Sequence, residues 1–160
     1  YSSVAIYSKN PHIDGYVSKK NMENNLKGAA SLIVSDSGSG RERIGGSILK
    51  VDLDLTHPLA FGYRDQSIPV YKNNNVFLNK SKSDYSSVAI YSKNPHIDGY
   101  VSKKNMENNL KGAASLIVSD SGSGRVVLFA DNPNFRGTWY GTNKLFLNAI
   151  FFGANISVPK

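Results

Sequence analysis

RVVLFADNPNFRGTWYGTNKLFLNAIFFG, residues 125–153, is the stretch that decides the fold of this chain. The apolar run 126–130 is short and β-branched, which predicts a buried strand. Polar residues 131–134 interrupt it. From Thr138 the apolar residues recur at helical spacing, and two lines of side chains are predicted to face the core: Trp139, Phe146 and Ile150, and Leu145, Ala149 and Phe152. Gly153 is predicted to end this helix. A strand, a polar corner and an apolar helix need a sheet to pack on, which predicts an α/β fold.

Composition narrows the class of protein. A chain of 160 residues with 40% apolar content can build one domain with its own core. The sequence has no cysteine, which excludes disulfides, thiolate metal sites and cysteine nucleophiles. The formal charge is +7, but the basic residues are scattered, which argues against nucleic-acid binding. No apolar run reaches the ~18 residues of a membrane helix, so we expect no membrane partner. No signal-peptide pattern opens the chain, and its start without Met indicates a piece of a longer protein.

An exact internal duplication divides the chain. Residues 1–41 recur letter for letter at 85–125, and the match then stops at once. Solenoid and propeller repeats drift gradually and tile the whole chain, whereas this repeat does neither. We interpret it as a recent splice, whether by recombination, by engineering or by an error in the sequence. The expected organisation is a duplicated segment, 1–41, followed by the C-terminal half of an α/β domain, 42–160.

The two copies compete for the same place beside the strand that begins at Val126. The second copy reaches that strand through the short turn 119–125, whereas the first must close a much longer loop. Loop-closure entropy therefore favours the second copy by about 2 kcal/mol. We expect the first copy to be poorly ordered or to be swapped into a neighbouring molecule, which would give a homodimer.

Two carboxylates and a histidine form one set of candidate catalytic or metal-binding residues. Residues 47–55 alternate between apolar and polar, which predicts a strand with one solvent-exposed face. Asp52 and Asp54 would lie ~7 Å apart on that face. Together with His57 they could act as an acid and base pair or hold a metal ion. The interpretation we favour is a solvated strand face, with His57 held extended by the following proline.

Local patterns predict the remaining elements. Ser102 is expected to cap a short helix over 103–111 that Gly112 ends. The apolar stretches 113–119 and 126–130 are predicted to pair as a hairpin that is buried on both faces. Further strands are predicted at 68–71, 76–78 and 85–91. A turn is predicted at 94–99.

The corner at residues 131–140 is the best candidate ligand site in the sequence. Open α/β sheets bind ligands beyond the carboxyl ends of their strands. The corner offers polar and aromatic side chains at such a place: Asp131, Asn132, Asn134, Arg136, Trp139 and Tyr140. The alternative is that the arginine and the asparagines satisfy the backbone of an irregular corner between buried elements.

Two motifs carry a resemblance to a known family. GRVVLFADNPNFRGTWYGTNKLFLNAIFFG (124–153) and VDLDLTHPLAFGY (51–63) resemble the C-terminal region of bacterial zinc carboxypeptidases that carry a glutamine-amidotransferase-like domain. The resemblance spans about residues 44–156. It implies a partial flavodoxin-like fold, of the class I glutamine-amidotransferase type, with a mixed sheet and flanking helices. It also implies a parent peptidase domain as partner, zinc bound in that parent domain, and a periplasmic or secreted location.

The activity of that family does not carry over to these residues. Its zinc motif has a Glu three residues after a His, whereas His57 begins the sequence HPLA and His96 begins HIDG. An amidotransferase needs a cysteine, which is missing. We therefore expect no metal or cofactor in this chain and a non-catalytic accessory fragment with a structural or substrate-presenting role. The alternatives are a sugar- or peptide-binding module that uses the corner, and, less favoured, a small hydrolase that uses Asp52, Asp54 and His57.

Overall fold

A computed structural model describes residues 3–5, 33–35, 42–81, 83–121 and 124–157 of the chain. These residues form eight strands: β1 (Ser3–Ala5), β2 (Ile33–Ser35), β3 (Ser47–Leu53), β4 (Ser67–Lys72), β5 (Val76–Leu78), β6 (Ser87–Gly99), β7 (Ala114–Ser121) and β8 (Gly124–Phe129). A short helix α1 (Lys103–Asn105) continues as a π-helical turn, Met106–Leu110, and the longer helix α2 is Tyr140–Phe152. Short 3-10 turns lie at Pro58–Ala60, Asp84–Ser86, Phe135–Gly137 and Gly153–Asn155.

The strands belong to one sheet in the order β1-β8-β7-β6-β3-β4, with β5 joined to β7 and to β2. Among the described strand pairs, β1 and β8 run parallel and the others run antiparallel. The predicted α/β class and mixed sheet are therefore confirmed. The mostly antiparallel order is not typical of a flavodoxin-like fold, whose strands are parallel.

The second copy of the duplicated segment supplies interior parts of the sheet. Strand β6 lies between β3 and β7, and β7 lies between β6 and β8. The described residues of the first copy pair elsewhere: β1 pairs with β8, and β2 pairs with β5. The tripeptides SVA (3–5 and 87–89) and IVS (33–35 and 117–119) therefore pair with different strands in the two copies. The rest of residues 1–41, and the prediction that they are disordered or swapped, lie outside the described part of the chain.

The predicted hairpin is confirmed. Strands β7 and β8 pair from Leu116 opposite Phe129 to Ser121 opposite Gly124. Both faces are buried: Leu116, Val118 and Val127 belong to the main core with α2, and Ile117, Val126, Leu128 and Ala130 to a second cluster. The hairpin therefore forms the centre of the fold, and the corner leaves from its end.

Helix α2 differs from the prediction in which residues it buries. Leu145 and Ala149 are buried as expected, but Ile150 is 52% exposed and Trp139 precedes the helix. The prediction for Ile150 is wrong because each residue turns the helix by about 100°, which carries it from the buried line of Ala149 toward solvent. Gly153 does follow the last helical residue, but it is right-handed, with φ −53°, and begins a 3-10 turn.

Two other predictions are corrected. Strand β3 ends at Leu53, and Leu55 is exposed because the chain turns there, with His57 N donating to Asp54 O. The predicted turn at 94–99 is wrong, since β6 continues to Gly99 and absorbs the extra residues through register shifts against β3. The helix prediction at 103–111 is confirmed, with the Ser102 hydroxyl accepting from Asn105 N.

Candidate functional site

The corner at 131–140 has a buried side and a surface side. Asp131 is the second residue after β8 and is 8% exposed, whereas Arg136 and Tyr140 are exposed. Between them the 3-10 turn Phe135–Gly137 carries the chain from the sheet to α2. The six predicted ligand-binding residues of the corner therefore do not come together in one site.

A buried polar cluster surrounds Asp131 and consists of Lys72, Tyr91, Ser115 and Asp131. The Tyr91 hydroxyl donates to Asp131 Oδ1 over 2.6 Å, and the Ser115 hydroxyl donates to Asp131 Oδ2. Lys72 Nζ lies 3.6 Å from Asp131 Oδ1, in an ion pair. The four residues come from β4, β6, β7 and the end of β8, so the cluster links four strands at one place.

The Lys72 ammonium is fully buried and fully partnered. It donates to the carbonyl oxygens of Val76 (2.7 Å) and Ala130 (3.1 Å) and to Asn74 Oδ1 (3.3 Å). It also lies 5.0 Å from the centre of the Phe77 ring. Burial lowers the pKa of Lys72 below its usual value, and the Asp131 carboxylate partly offsets this.

The polar cluster around Asp131 stabilises the contact between the strands and is not arranged for catalysis. Burial raises the pKa of Tyr91 well above its usual value, and the Asp131 charge acts in the same direction. Tyr91 therefore stays a hydrogen-bond donor at neutral pH. Since Lys72 is 0% exposed and Asp131 8%, a substrate has almost no access to these groups. A buried ion pair of this kind is costly to break from one side.

The surface side carries an aromatic platform, which we define as Tyr71, Phe135 and Trp139. The Tyr71 and Phe135 rings are stacked, with centroids 3.8 Å apart, and the Trp139 ring lies 6.0 Å from Tyr71. Trp139 Nε1 donates to Pro69 O over 3.4 Å, which ties the platform to β4. All three rings are partly exposed. The platform therefore presents aromatic surface to solvent at a place fixed by the sheet.

Arg136 lies beside the platform in a strained backbone conformation. Its φ is 52°, in the left-handed region that residues other than glycine rarely adopt. Its guanidinium carbon lies 5.1 Å from the centre of the Phe135 ring, and the side chain is exposed. The turn that holds it is closed by Gly137 N donating to Asn134 O and Thr138 N donating to Phe135 O. Strain of this kind is concentrated at functional sites.

The remaining corner residues have mainly structural contacts. Asn132 N donates to Tyr71 O, and Asn132 Oδ1 accepts from Asn134 N over 3.2 Å. These bonds satisfy the backbone of the corner and cover part of the free edge of β4. Tyr140 begins α2 and is 77% exposed. Of the six predicted residues, Arg136 and Trp139 thus lie at the platform.

The carboxylate and histidine candidates do not assemble into a metal site. Asp52 accepts from the Ser67 hydroxyl, and Asp54 Oδ1 accepts from Thr56 N and its hydroxyl. His57 is buried, its Nδ1 accepts from Leu59 N, and burial lowers its pKa to about 4 against a smaller opposing effect of Asp54. Across the described ranges, no three His, Asp or Glu side chains are placed to hold a metal ion. Their chemistry and placement therefore do not fit a zinc site.

Sequence reasoning missed five residues that matter at this site: Lys72, Tyr91 and Ser115 in the cluster, and Tyr71 and Phe135 in the platform. A signal was present for two of them. Strand β4 reads SIPVYK, so alternation places Lys72 on the buried face with Ile68 and Val70, and Tyr71 on the opposite face. Tyr91 within β6 and Ser115 near the start of β7 meet Asp131 only through long-range strand pairing, which no local pattern encodes.

No protein-family model, curated protein or solved structure matches this chain. The resemblance to carboxypeptidase-associated domains therefore remains a prediction. In the part of the chain that the structure describes, no helix is long and apolar enough to cross a membrane.

Proposed function

We propose that this chain is a non-catalytic binding module that holds a sugar or peptide ligand on the aromatic platform beside Arg136. The observation that carries the proposal is the juxtaposition of three partly exposed aromatic rings with an exposed, strained arginine. The two charged groups that flank the platform on the side of the sheet, Lys72 and Asp131, are sealed in the polar cluster. They therefore support the surface and do not act on a ligand.

The chemistry of the surface defines the ligand more closely. Aromatic rings receive the apolar face of a sugar or an apolar side chain. An arginine fork binds a carboxylate with two parallel hydrogen bonds. The formal charge of +7 also favours an anionic ligand. We infer that the ligand places a carboxylate next to a ring or an apolar group, as an acidic sugar or a peptide C-terminus does.

The predicted family role is one setting for such a module. An accessory fragment that presents substrate to a zinc carboxypeptidase would need to hold a peptide near its terminal carboxylate, and Arg136 offers the matching charge. A partial flavodoxin-like fold is the finer proposal for the architecture, and the antiparallel strand order does not favour it. The binding proposal does not depend on that fold.

Calorimetric titration tests the proposal with matched ligands. Peptides that end in an aromatic residue should bind more tightly as free acids than as C-terminal amides, and uronic-acid oligosaccharides more tightly than neutral ones. Arg136→Ala and Phe135→Ala should each weaken binding at least tenfold. Arg64→Ala, at an exposed arginine outside the corner, should bind as the wild type does. Unchanged binding by both corner variants, or no binding of either ligand class, would refute the proposal.

A further inference from the structure

Helix α2 and the loop that follows the 3-10 turn Pro58–Ala60 together expose a group of large apolar side chains. Phe61 is 68% exposed, Leu147 49%, Ile150 52% and Phe151 72%, and Tyr140 opens the same helix. We call these five residues the apolar face. Residues 140, 147 and 151 share one line along the helix, with 150 on the neighbouring line. Exposed apolar groups of this extent mark interaction surfaces.

The apolar face is held rigid by hydrogen bonds between the loop and the helix. Asn148 Nδ2 donates to the carbonyl oxygens of Leu59 (2.8 Å) and Phe61 (3.0 Å). The Tyr63 hydroxyl donates to Gly141 O over 2.8 Å. The Phe61 ring packs edge-on against Phe152, with centroids 5.6 Å apart. Since the loop is already fixed to the helix, a partner that docks here loses little entropy in ordering it.

The charges around the apolar face permit contact with an identical surface. Helix α2 contains one charged residue, Lys144, and no acidic residue. Lys144 Nζ is turned onto its own chain, where it donates to Gly62 O over 3.1 Å and lies 5.4 Å from the Tyr63 ring centre. Lys144 is exposed, but it is the one charge that α2 brings to the contact and its Nζ is held on its own chain, so like-charge repulsion between two copies of the face is small.

The area of the apolar face matches what a two-fold dimer needs. Because an aromatic side chain buries roughly 150–250 Å², three mostly exposed rings with two half-exposed aliphatic side chains offer on the order of 500 Å². A standard interface buries about 800 Å² per partner, of which about 60% is apolar. A self-complementary face of this size fits the commonest symmetry of soluble homo-oligomers.

We propose that a second copy of this chain docks on the apolar face, so that two α2 helices pack against each other across a two-fold axis. This inference does not rest on the proposed ligand. The dimer would nevertheless affect ligand binding. Because α2 begins directly after Trp139, one dimer would carry two corner surfaces. A ligand with two binding groups would then gain avidity without new contacts.

Sedimentation velocity of the full chain over a wide concentration range tests the dimer. The wild type should show reversible dimerisation, and Ile150→Glu and Phe151→Glu should each weaken it at least tenfold. Ile97→Glu is the matched control, because Ile97 is also a half-exposed isoleucine, at 50%, but lies on β6. It should dimerise as the wild type does. Circular dichroism should show the same fold in all four proteins.

Three results would overturn the proposal. The first is a wild type that stays monomeric at every concentration. The second is a dimer that survives in both helix variants, which would point to exchange of the identical segments 1–41 and 85–125 between chains. The third is an equal loss in the Ile97→Glu control. As a check that does not rely on added charge, Leu147→Cys should form a disulfide-linked dimer faster than Ile97→Cys, since the chain has no other cysteine.

Discussion

His57 shows how one residue that looks catalytic in the sequence is used for folding. Its Nδ1 accepts from Leu59 N and so begins the turn Pro58–Ala60, which places the proton of the neutral ring on Nε2. The Nε2 atom is buried without a hydrogen-bond partner among the described residues, and the ring packs on Tyr85. A positive charge at this place would be poorly solvated, which is why burial lowers the pKa of His57 to about 4.

The first prediction is a loss of stability in mild acid that depends on His57. The unfolded chain titrates this residue near its usual pKa of 6.5 and the folded chain near 4, so the unfolded state binds more protons between these values. The free energy of unfolding should therefore fall as the pH falls from 6.5 to 4. Urea denaturation along this pH range should show a shallower fall in His57→Asn, whose side chain can still accept from Leu59 N. Equal slopes in the two proteins would contradict the assignment.

The second prediction concerns the buried ion pair. Lys72→Met leaves the Asp131 carboxylate without its cation and should lower the free energy of unfolding by about 3–5 kcal/mol. Lys50→Met, at an exposed lysine on β3, should change it by less than about 0.5 kcal/mol. Adding Asp131→Leu to Lys72→Met should restore part of the loss, since the carboxylate is then gone too. Denaturant unfolding of the four proteins measures this, and a double variant that is no more stable than Lys72→Met would contradict the coupling of the two charges.

At the scale of elements, local patterns specify some parts of the fold and leave others open. The hairpin β7–β8, the start of α1 at Ser102 and the buried line Leu145 and Ala149 follow from apolar runs, a capping side chain and helical spacing. The extension of β6 through Pro95 to Gly99 does not, because it depends on pairing with β3, far away in sequence.

The corner illustrates the same limit for the candidate site. Its composition marked residues 131–140, but the expectation rested on a parallel sheet, and the strands here are mostly antiparallel. Asp131 turns inward because Lys72, Tyr91 and Ser115 meet it there, and Arg136 stays at the surface beside Phe135. Only the assembled sheet decides which polar residue of the corner is buried.

The third prediction separates backbone strain from binding at Arg136. Glycine adopts a φ of 52° freely, whereas alanine pays the same steric penalty as arginine. Arg136→Gly should therefore be about 1 kcal/mol more stable than Arg136→Ala, and both should lose ligand binding. Thermal unfolding together with titration of the acidic ligands measures both effects. If the glycine variant is no more stable than the alanine variant, the left-handed conformation is not a source of strain.

At the scale of the whole molecule, the duplication offers a comparison within one chain. Val4 and Val88 occupy the same place in identical segments, but Val88 is fully buried in β6, inside the sheet, and Val4 belongs to β1, at one end of the strand order. The fold therefore distinguishes two identical sequences by their place in the chain.

The fourth prediction uses this pair. Val88→Asp buries a charge in the core and should abolish the cooperative unfolding transition or lower stability by several kcal/mol. Val4→Asp should cost much less, because β1 pairs with β8 at one end of the strand order. Circular dichroism during urea unfolding measures both variants. Equal losses would show that the two copies exchange for the same position in the sheet.

The most direct test of the binding surface uses the single tryptophan of the chain, Trp139, which belongs to the aromatic platform. Fluorescence excited beyond the absorption of tyrosine reports on this residue alone. Titration with the acidic peptides and uronic-acid oligosaccharides should give a saturable change in Trp139 emission for one of the two ligand classes. That change should be lost in Arg136→Ala and kept in Arg64→Ala. Ligand binding that leaves Trp139 emission unchanged and survives Arg136→Ala would contradict the assignment of the site to this corner.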